Sequence, residues 1–357
     1  MTASGTLTTV SANQHLTVFH RLLMGKQSKL TRKAYSNDLK FFAQFLGFAS
    51  TGNAHPLATL ANEASTWNQF DPALIAAYLE YLKQTISPHT KRPYSTATIA
   101  RRITAVKELL TEASYLGLFP RDHLEYIKTR IGKVQVTNEH HAGLTPGEQD
   151  AILRTASQQP GLKGIRDYVL FRLWLDTGLR RNELVSLRVR DVTTKEGISR
   201  IVVRFGKGKN GNQIREIAIE PYIRYELDEW LKLSGKVKYP DHPIFCQVRK
   251  FGRDDQAVYR VTNADKSLSG TALWKLVKWY CKKAGIKSEV VPHSFRVAMI
   301  TDTINGGAPM QHIQRVTGHK SLDMITQVYD RNSYADPVAR YRKQLLARRG
   351  NSSYREF

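Results

Sequence analysis

Hydrophobic positions in the first third of the chain recur every three or four residues. Between Leu30 and Leu46 they are Tyr35, Leu39, Phe42 and Leu46, with Thr31 as the capping residue, which predicts an amphipathic helix. Its polar face carries Arg32, Lys33 and Lys40. A second helix opens at Asp71-Pro72, a capping residue followed by proline in the first turn, and runs through Ile75, Tyr78, Leu79 and Leu82. A third, from Ser95 or Thr96 to near Gly117, turns Ile99, Ile103, Val106 and Leu110 inward and leaves Arg101, Arg102 and Lys107 for solvent or phosphate. A fourth covers about Arg121 to Ile131.

The hydrophobic period is lost between Gly132 and Gly143, which reads as a linker. It resumes at Thr145-Pro146-Gly147-Glu148, where Thr is the cap, Pro takes the first helical position and Glu can close a capping box. Gly178 stops a helix over Ile165 to Asp176, and a shorter helix follows from Asn182 to Leu187. The β-branched stretches Arg200 to Phe205 and Gln213 to Ile219 flank Gly206-Lys207-Gly208-Lys209-Asn210-Gly211, predicting a hairpin with a basic, glycine-rich tip. Helices are expected again at Tyr222 to Leu233, Ser269 to Ala284, Ser294 to Ile304, Met310 to Val316, Leu322 to Tyr329 and Val338 to Ala347. The expected fold is mainly α with a small antiparallel β-sheet in the C-terminal domain. The expected layout is a flexible leader at 1–20, a helical domain at 21–132, a linker at 133–143, a second domain at 144–335 and a C-terminal helix or tail at 336–357.

Composition adds a partner. With 357 residues the chain is long enough for two cores. Its 54 Lys and Arg against 31 Asp and Glu give a formal charge of +23, which points to a polyanion, with nucleic acid ahead of an anionic membrane surface. No apolar run approaches the roughly 18 residues of a membrane span, and Met1 to Asn13 lack a signal pattern. Only Cys246 and Cys281 are present, which suits a reducing compartment, so a cytoplasmic location is expected.

Four stretches carry candidate chemistry. Arg180 follows the helix break at Gly178, where a guanidinium fork can meet two oxygens of one phosphate; Arg181 beside it is either the functional arginine or a surface partner of Glu183. His293 and Arg296 share a face at a helix start. Gly318-His319 is read as placing an imidazole at a helix N-terminus, and Tyr329 follows. Phosphodiester chemistry without a metal needs a nucleophile, cations on the phosphate oxygens and a proton for the leaving oxygen. No carboxylate cluster at metal-ligand spacing accompanies the set, so a two-metal nuclease is disfavoured, and no cofactor is expected.

The ordered set of arginine, hairpin lysine, His-x-x-Arg, Gly-His and tyrosine resembles the tyrosine site-specific recombinase and integrase family, which includes Cre and the Xer proteins. The resemblance covers about Leu144 to Tyr329, and Ile244 to Lys250 also looks like the corresponding stretch of Cre. It implies catalytic roles for Arg180, Glu183, Lys207, His293, Arg296 and His319, with Tyr329 as nucleophile and a 3′-phosphotyrosyl intermediate. It further implies double-stranded DNA with a specific recombination site as partner, a two-domain DNA clamp whose helical domain is the core-binding domain, four protomers on two sites, a Holliday junction, and no metal or ATP. The segment 336–357 is then a candidate for exchange between protomers, and a bacterial origin, on a plasmid or phage, is expected. Arg32, Lys33, Lys40, Arg101, Arg102, Lys107 and Lys209 are the expected DNA contacts. Tyr329 follows His319 by ten residues, one more than the family's usual spacing, which keeps Tyr334 as a second choice. Lys207 is preferred over Lys209 because Gly206-Lys207-Gly208 fits the Xer-like form. A non-cleaving DNA-binding protein and a type IB topoisomerase or telomere resolvase are the alternatives.

Overall fold

The computed structural model describes residues 16–48, 55–88, 90–131, 134–135, 142–204, 214–253 and 257–326. Contacts divide the chain into two units, Met1–Glu139 and His140–Phe357. Lys207, Lys209, Tyr329, Tyr334 and the segment 336–357 lie outside the described residues.

The first unit is helical among its described residues: α1 Val18–Met24, α2 Lys29–Phe45, α3 Ala64–Trp67, α4 Pro72–Gln84, α5 Thr96–Tyr115 and α6 Arg121–Arg130. Helix α2 buries Leu39, Phe42 and Ala43, the i, i+3, i+4 stripe of an amphipathic helix. These side chains meet Trp67, Phe70, Tyr78 and Val106 in one core. Two caps sit where the sequence puts them: Asp71 accepts from the Leu74 N–H at 2.7 Å, and Ser95 from the Thr98 N–H at 3.3 Å. The α2 cap does not, because Ser28 holds that position and Thr31 is already inside the first turn. Helix α1 begins within the stretch expected as a leader, and its Val18 and Phe19 are core residues.

The basic faces of this unit also need correction. Arg32, Lys33 and Lys40 are exposed and Lys107 is half-buried. Arg101, however, is paired with Asp38. Arg102 is largely withdrawn from solvent: its guanidinium lies 3.7 Å from the centre of the Phe41 ring and 4.1 Å from that of Tyr94, with Asp38 beside it. An arginine sandwiched between two aromatic faces is a packing element.

The second unit runs α7 Pro146–Ser157, α8 Gly161–Thr177, α9 Arg181–Ser186, β1 Val192–Lys195, β2 Ile198–Val203, β3 Arg215–Ala218, α10 Pro221–Leu233, β4 Cys246–Phe251, β5 Val258–Ser267, α11 Gly270–Lys283, α12 Pro292–Asn305 and α13 Met310–Thr317. It is mainly α with two small antiparallel sheets, β1-β2-β3 and β4-β5, where the sequence suggested one. The capping box of α7 is present, with Thr145 and Glu148 each bonded to the other's backbone N–H. Helix α8 is buried along Val169, Leu170, Phe171, Leu173 and Trp174, as a central helix must be. Phe295 of α12 stacks on both Trp174 and Phe171, with ring centres 4.5 and 5.4 Å apart. That stack fixes the position of its neighbour Arg296. A smaller cluster of Met299, Ile300, Ile313 and Ile325 ties α12, α13 and the short helical stretch at 323–326 together.

Candidate active site

Helices α8 and α13 both end in a glycine of left-handed conformation, Gly178 at φ 56° and Gly318 at φ 64°. The last carbonyls of a helix have no partner within it and carry the negative end of the helix dipole. Here arginines supply the partners. Arg296 donates from Nη1 to the Gly178 carbonyl at 2.8 Å and from Nη2 to the Thr317 carbonyl at 2.6 Å. Arg180 donates from Nη2 to the Gly318 carbonyl at 3.1 Å, and Arg215 from Nε to the Val316 carbonyl at 2.9 Å. Three guanidiniums therefore converge on the C-terminal turn of α13. Carbonyl dipoles hold them without cancelling their charge.

One carboxylate stands among them. Glu183, buried in the first turn of α9, accepts the Arg180 backbone N–H at 2.8 Å and the Arg180 Nη1 at 2.9 Å, and it receives Arg215 on both oxygens, at 3.2 and 2.6 Å. Burial alone would raise its pKa, but the hydrogen bonds and charge of Arg215, with those of Arg180, outweigh burial and hold it below the usual glutamate range. Three guanidinium charges against one carboxylate leave two positive charges uncompensated. Burial first, and the charge of Arg180 second, bring the Arg296 guanidinium down to about 9, still protonated at neutral pH but destabilised until an anion arrives.

His319 completes the cluster, and it corrects an expectation. It follows the C-terminus of α13 and does not start a helix. Its Nε2 lies 3.2 Å from Arg296 Nη2 and its Nδ1 lies 2.7 Å from Thr317 Oγ1. Arginine only donates, so Nε2 accepts and Nδ1 carries the proton, which it gives to Thr317; Thr317 Oγ1 in turn donates to the Ile313 carbonyl at 2.7 Å. Burial, then the charges of Arg296, Arg180 and His293, lower the His319 pKa to about 3. The ring is neutral at physiological pH, and in this arrangement its Nε2 has no proton to offer a phosphate. His293 is exposed in the first turn of α12 and near enough to act on His319 electrostatically.

The structure thus brings together Arg180, Glu183, Arg296, His319 and His293 from the sequence set. The Arg181–Glu183 alternative is not realised, because Glu183 is taken by Arg180 and Arg215, while Arg181 lies against Gly270. Sequence reasoning missed Arg215. The signal was there: in β3 it stands two residues before Ile217, which is buried, and residues i and i+2 of a strand share a face.

Residues 143–336 match the phage integrase family. The chain is 28% identical over 319 residues to tyrosine recombinase XerC of Roseiflexus castenholzii, covering 89% of this chain and 88% of that protein. It is 25% identical over 316 residues to tyrosine recombinase XerD of Lacticaseibacillus casei, covering 88% and 92%. Among solved structures, the fold is similar to that of the XerH recombinase in a pre-cleavage complex with its difH substrate, with a TM-score of 0.57, 20% identity and coverage of 89% of this chain and 80% of that one. A lambda integrase tetramer bound to a Holliday junction gives a TM-score of 0.60, 16% identity and coverage of 89% and 77%. With its arginine cluster on an integrase-type fold and the family match spanning more than half of its length, this chain belongs to the phage integrase family of tyrosine recombinases.

Proposed function

We propose that this recombinase cleaves and rejoins duplex DNA at a specific site through a 3′-phosphotyrosyl intermediate. The observation that carries the reading is the pair of uncompensated positive charges where Arg180, Arg215 and Arg296 meet the end of α13. A scissile phosphate is the anion that such a fork-lined site fits. Tyr329 Oη attacks the phosphorus, so a tyrosyl P–O bond forms as the bond to the 5′ oxygen breaks. His293 takes the phenolic proton, and Lys207, or Lys209 on the same hairpin, protonates the departing 5′ oxygen. Arg180 and Arg296 hold the non-bridging oxygens, Glu183 orients Arg180, and His319 orients Arg296. The phosphodiester energy is kept in the tyrosyl bond, so a second 5′ hydroxyl reverses the step without ATP or metal.

The division of the chain into two units supports a clamp around DNA, with a core-binding domain that takes in α1 and runs to about 132, a linker at 133–143 and a catalytic domain at 144–335. Arg32, Lys33, Lys40, Arg101, Lys107 and Lys209 supply phosphate contacts in this reading; Arg102 does not. Affinity then falls steeply as salt rises. Four protomers on two sites exchange strands through a Holliday junction, with the segment 336–357 docking on a neighbour.

A nicked suicide substrate tests the reading. The wild-type protein is expected to accumulate a covalent DNA adduct, and Tyr329→Phe to bind DNA without one. An adduct that survives in Tyr329→Phe and disappears in Tyr334→Phe moves the nucleophile to Tyr334. Binding with no adduct in the wild type leaves a non-cleaving DNA-binding protein, and relaxed circles or hairpin ends in place of exchanged partners point to topoisomerase or telomere-resolvase chemistry.

A further inference from the structure

We propose that Arg215 is a positioning residue that keeps Arg180 free for the scissile phosphate; this rests on the recombinase reading above. Arg215 itself is poorly placed to touch DNA. Its side chain is 12% exposed, and its Nε, Nη1 and Nη2 all donate to protein acceptors, Val316 O and the two oxygens of Glu183.

Its effect is on the sharing of Glu183. A carboxylate bonded only to Arg180 would draw that guanidinium into a two-pronged pair, occupying the donors and charge that an anion needs. With Arg215 on both oxygens, Glu183 meets the Arg180 guanidinium through Nη1 alone, at 2.9 Å, and Arg180 Nη2 turns to the Gly318 carbonyl. Arg215 also ties three separate elements into one frame: β3, whose Ile217 is in the core, the first turn of α9 through Glu183, and the end of α13 through Val316. Gly318 makes room for it. A Cβ there would lie 3.0 Å from Arg215 Nη1, at a φ of 64° that side chains rarely adopt.

The experiment uses full-length wild-type, Arg215→Ala, Arg215→Lys and Arg180→Ala proteins on two suicide substrates, one with an ordinary scissile phosphate and one with a methylphosphonate, which lacks one charged oxygen. DNA affinity and thermal midpoint are measured in parallel. Arg215→Ala is expected to form adduct on the order of 100-fold more slowly on the phosphate, the size of effect a small misplacement of a catalytic group produces, while binding DNA nearly as well as wild type. Arg215→Lys recovers part of that rate. On the methylphosphonate the gap between wild type and Arg215→Ala narrows to less than about tenfold, as it does for Arg180→Ala, because less charge remains to be offset. An unchanged rate in Arg215→Ala, or an equal loss on both substrates with a lowered midpoint, overturns the proposal. A wild-type protein that forms no adduct on the phosphate overturns the recombinase reading instead, and the proposal with it.

Discussion

Each unit of this protein draws arginines into its interior, and the two do so to opposite ends. In the first unit Arg101 and Arg102 share Asp38, and Arg102 is closed between Phe41 and Tyr94. Its charge has a carboxylate beside it and aromatic faces around it. In the second unit Arg180 and Arg215 share Glu183 and Arg296 has only helix-end carbonyls, which also supply the remaining acceptors of the other two. Carbonyl dipoles fix the geometry of a guanidinium but do not cancel its charge. A count of basic residues cannot separate the two cases, whereas what surrounds each guanidinium does: aromatic faces on Arg102, helix-end carbonyls on Arg180, Arg215 and Arg296. Arg102 packs into the rim of a helical core, and the second set is poised for an anion.

Removing the shared carboxylate tests the comparison hardest. Glu183→Ala leaves Arg180 and Arg215 facing each other without their acceptor, and is expected to destabilise the second unit by about 3–5 kcal/mol, read by chemical denaturation. Because Glu183 is held below its ordinary value of 4.5, its contribution is complete above that pH and fades as the pH falls further. Next in size is Gly178→Ala. A side chain at φ 56° whose Cβ would sit 2.2 Å from the Met299 Cε disturbs both the α8 cap and the carbonyl that seats Arg296. A loss of about 2–3 kcal/mol is expected, with slowed cleavage. Arg102→Ala is expected to cost about 1–2 kcal/mol from two lost ring contacts, seen as a lower midpoint with cleavage intact below it. The smallest effect is a flat line: with its pKa near 3, His319 adds no inflection to the cleavage rate between about pH 5 and 8. Nitrogen NMR of the ring should show a proton on Nδ1. Its depressed pKa gives stability that is whole above 6.5 and lost as the pH falls from there towards 3.

Local signals carried much of this fold. Asp71-Pro72, Ser95 and the Thr145/Glu148 box mark helix starts through single hydrogen bonds within one turn, so they can be read without knowing the rest of the chain. Gly178 marked the break before Arg180 for the same reason. Strand β5 gives a weak signal because its two-residue alternation slips by one between Val261 and Thr262 and none of its positions is fully buried. The sequence pattern marks only two of the three strands β1, β2 and β3, since β1 is four residues long and largely polar. In the site, the expectation of a helix start at His319 overlooks that the glycine before it is the ordinary sign of a helix C-terminus. Arg215 and Arg102 depend on tertiary partners, Glu183 in one case and the Phe41 and Tyr94 rings in the other, and no local spacing announces those.

The central claim is that the arginines at the end of α13 bind the scissile phosphate while Arg102, packed between Phe41 and Tyr94, does not act in cleavage. Single-turnover adduct formation on a nicked suicide substrate, measured side by side for Arg296→Ala and Arg102→Ala at a temperature where both are folded, tests it most directly. The account predicts a loss of about 100- to 1,000-fold for Arg296→Ala, the usual consequence of deleting a preorganised donor to a developing charge, and a rate within a few-fold of wild type for Arg102→Ala. Equal losses in the two variants, or near-normal cleavage by Arg296→Ala, would contradict it.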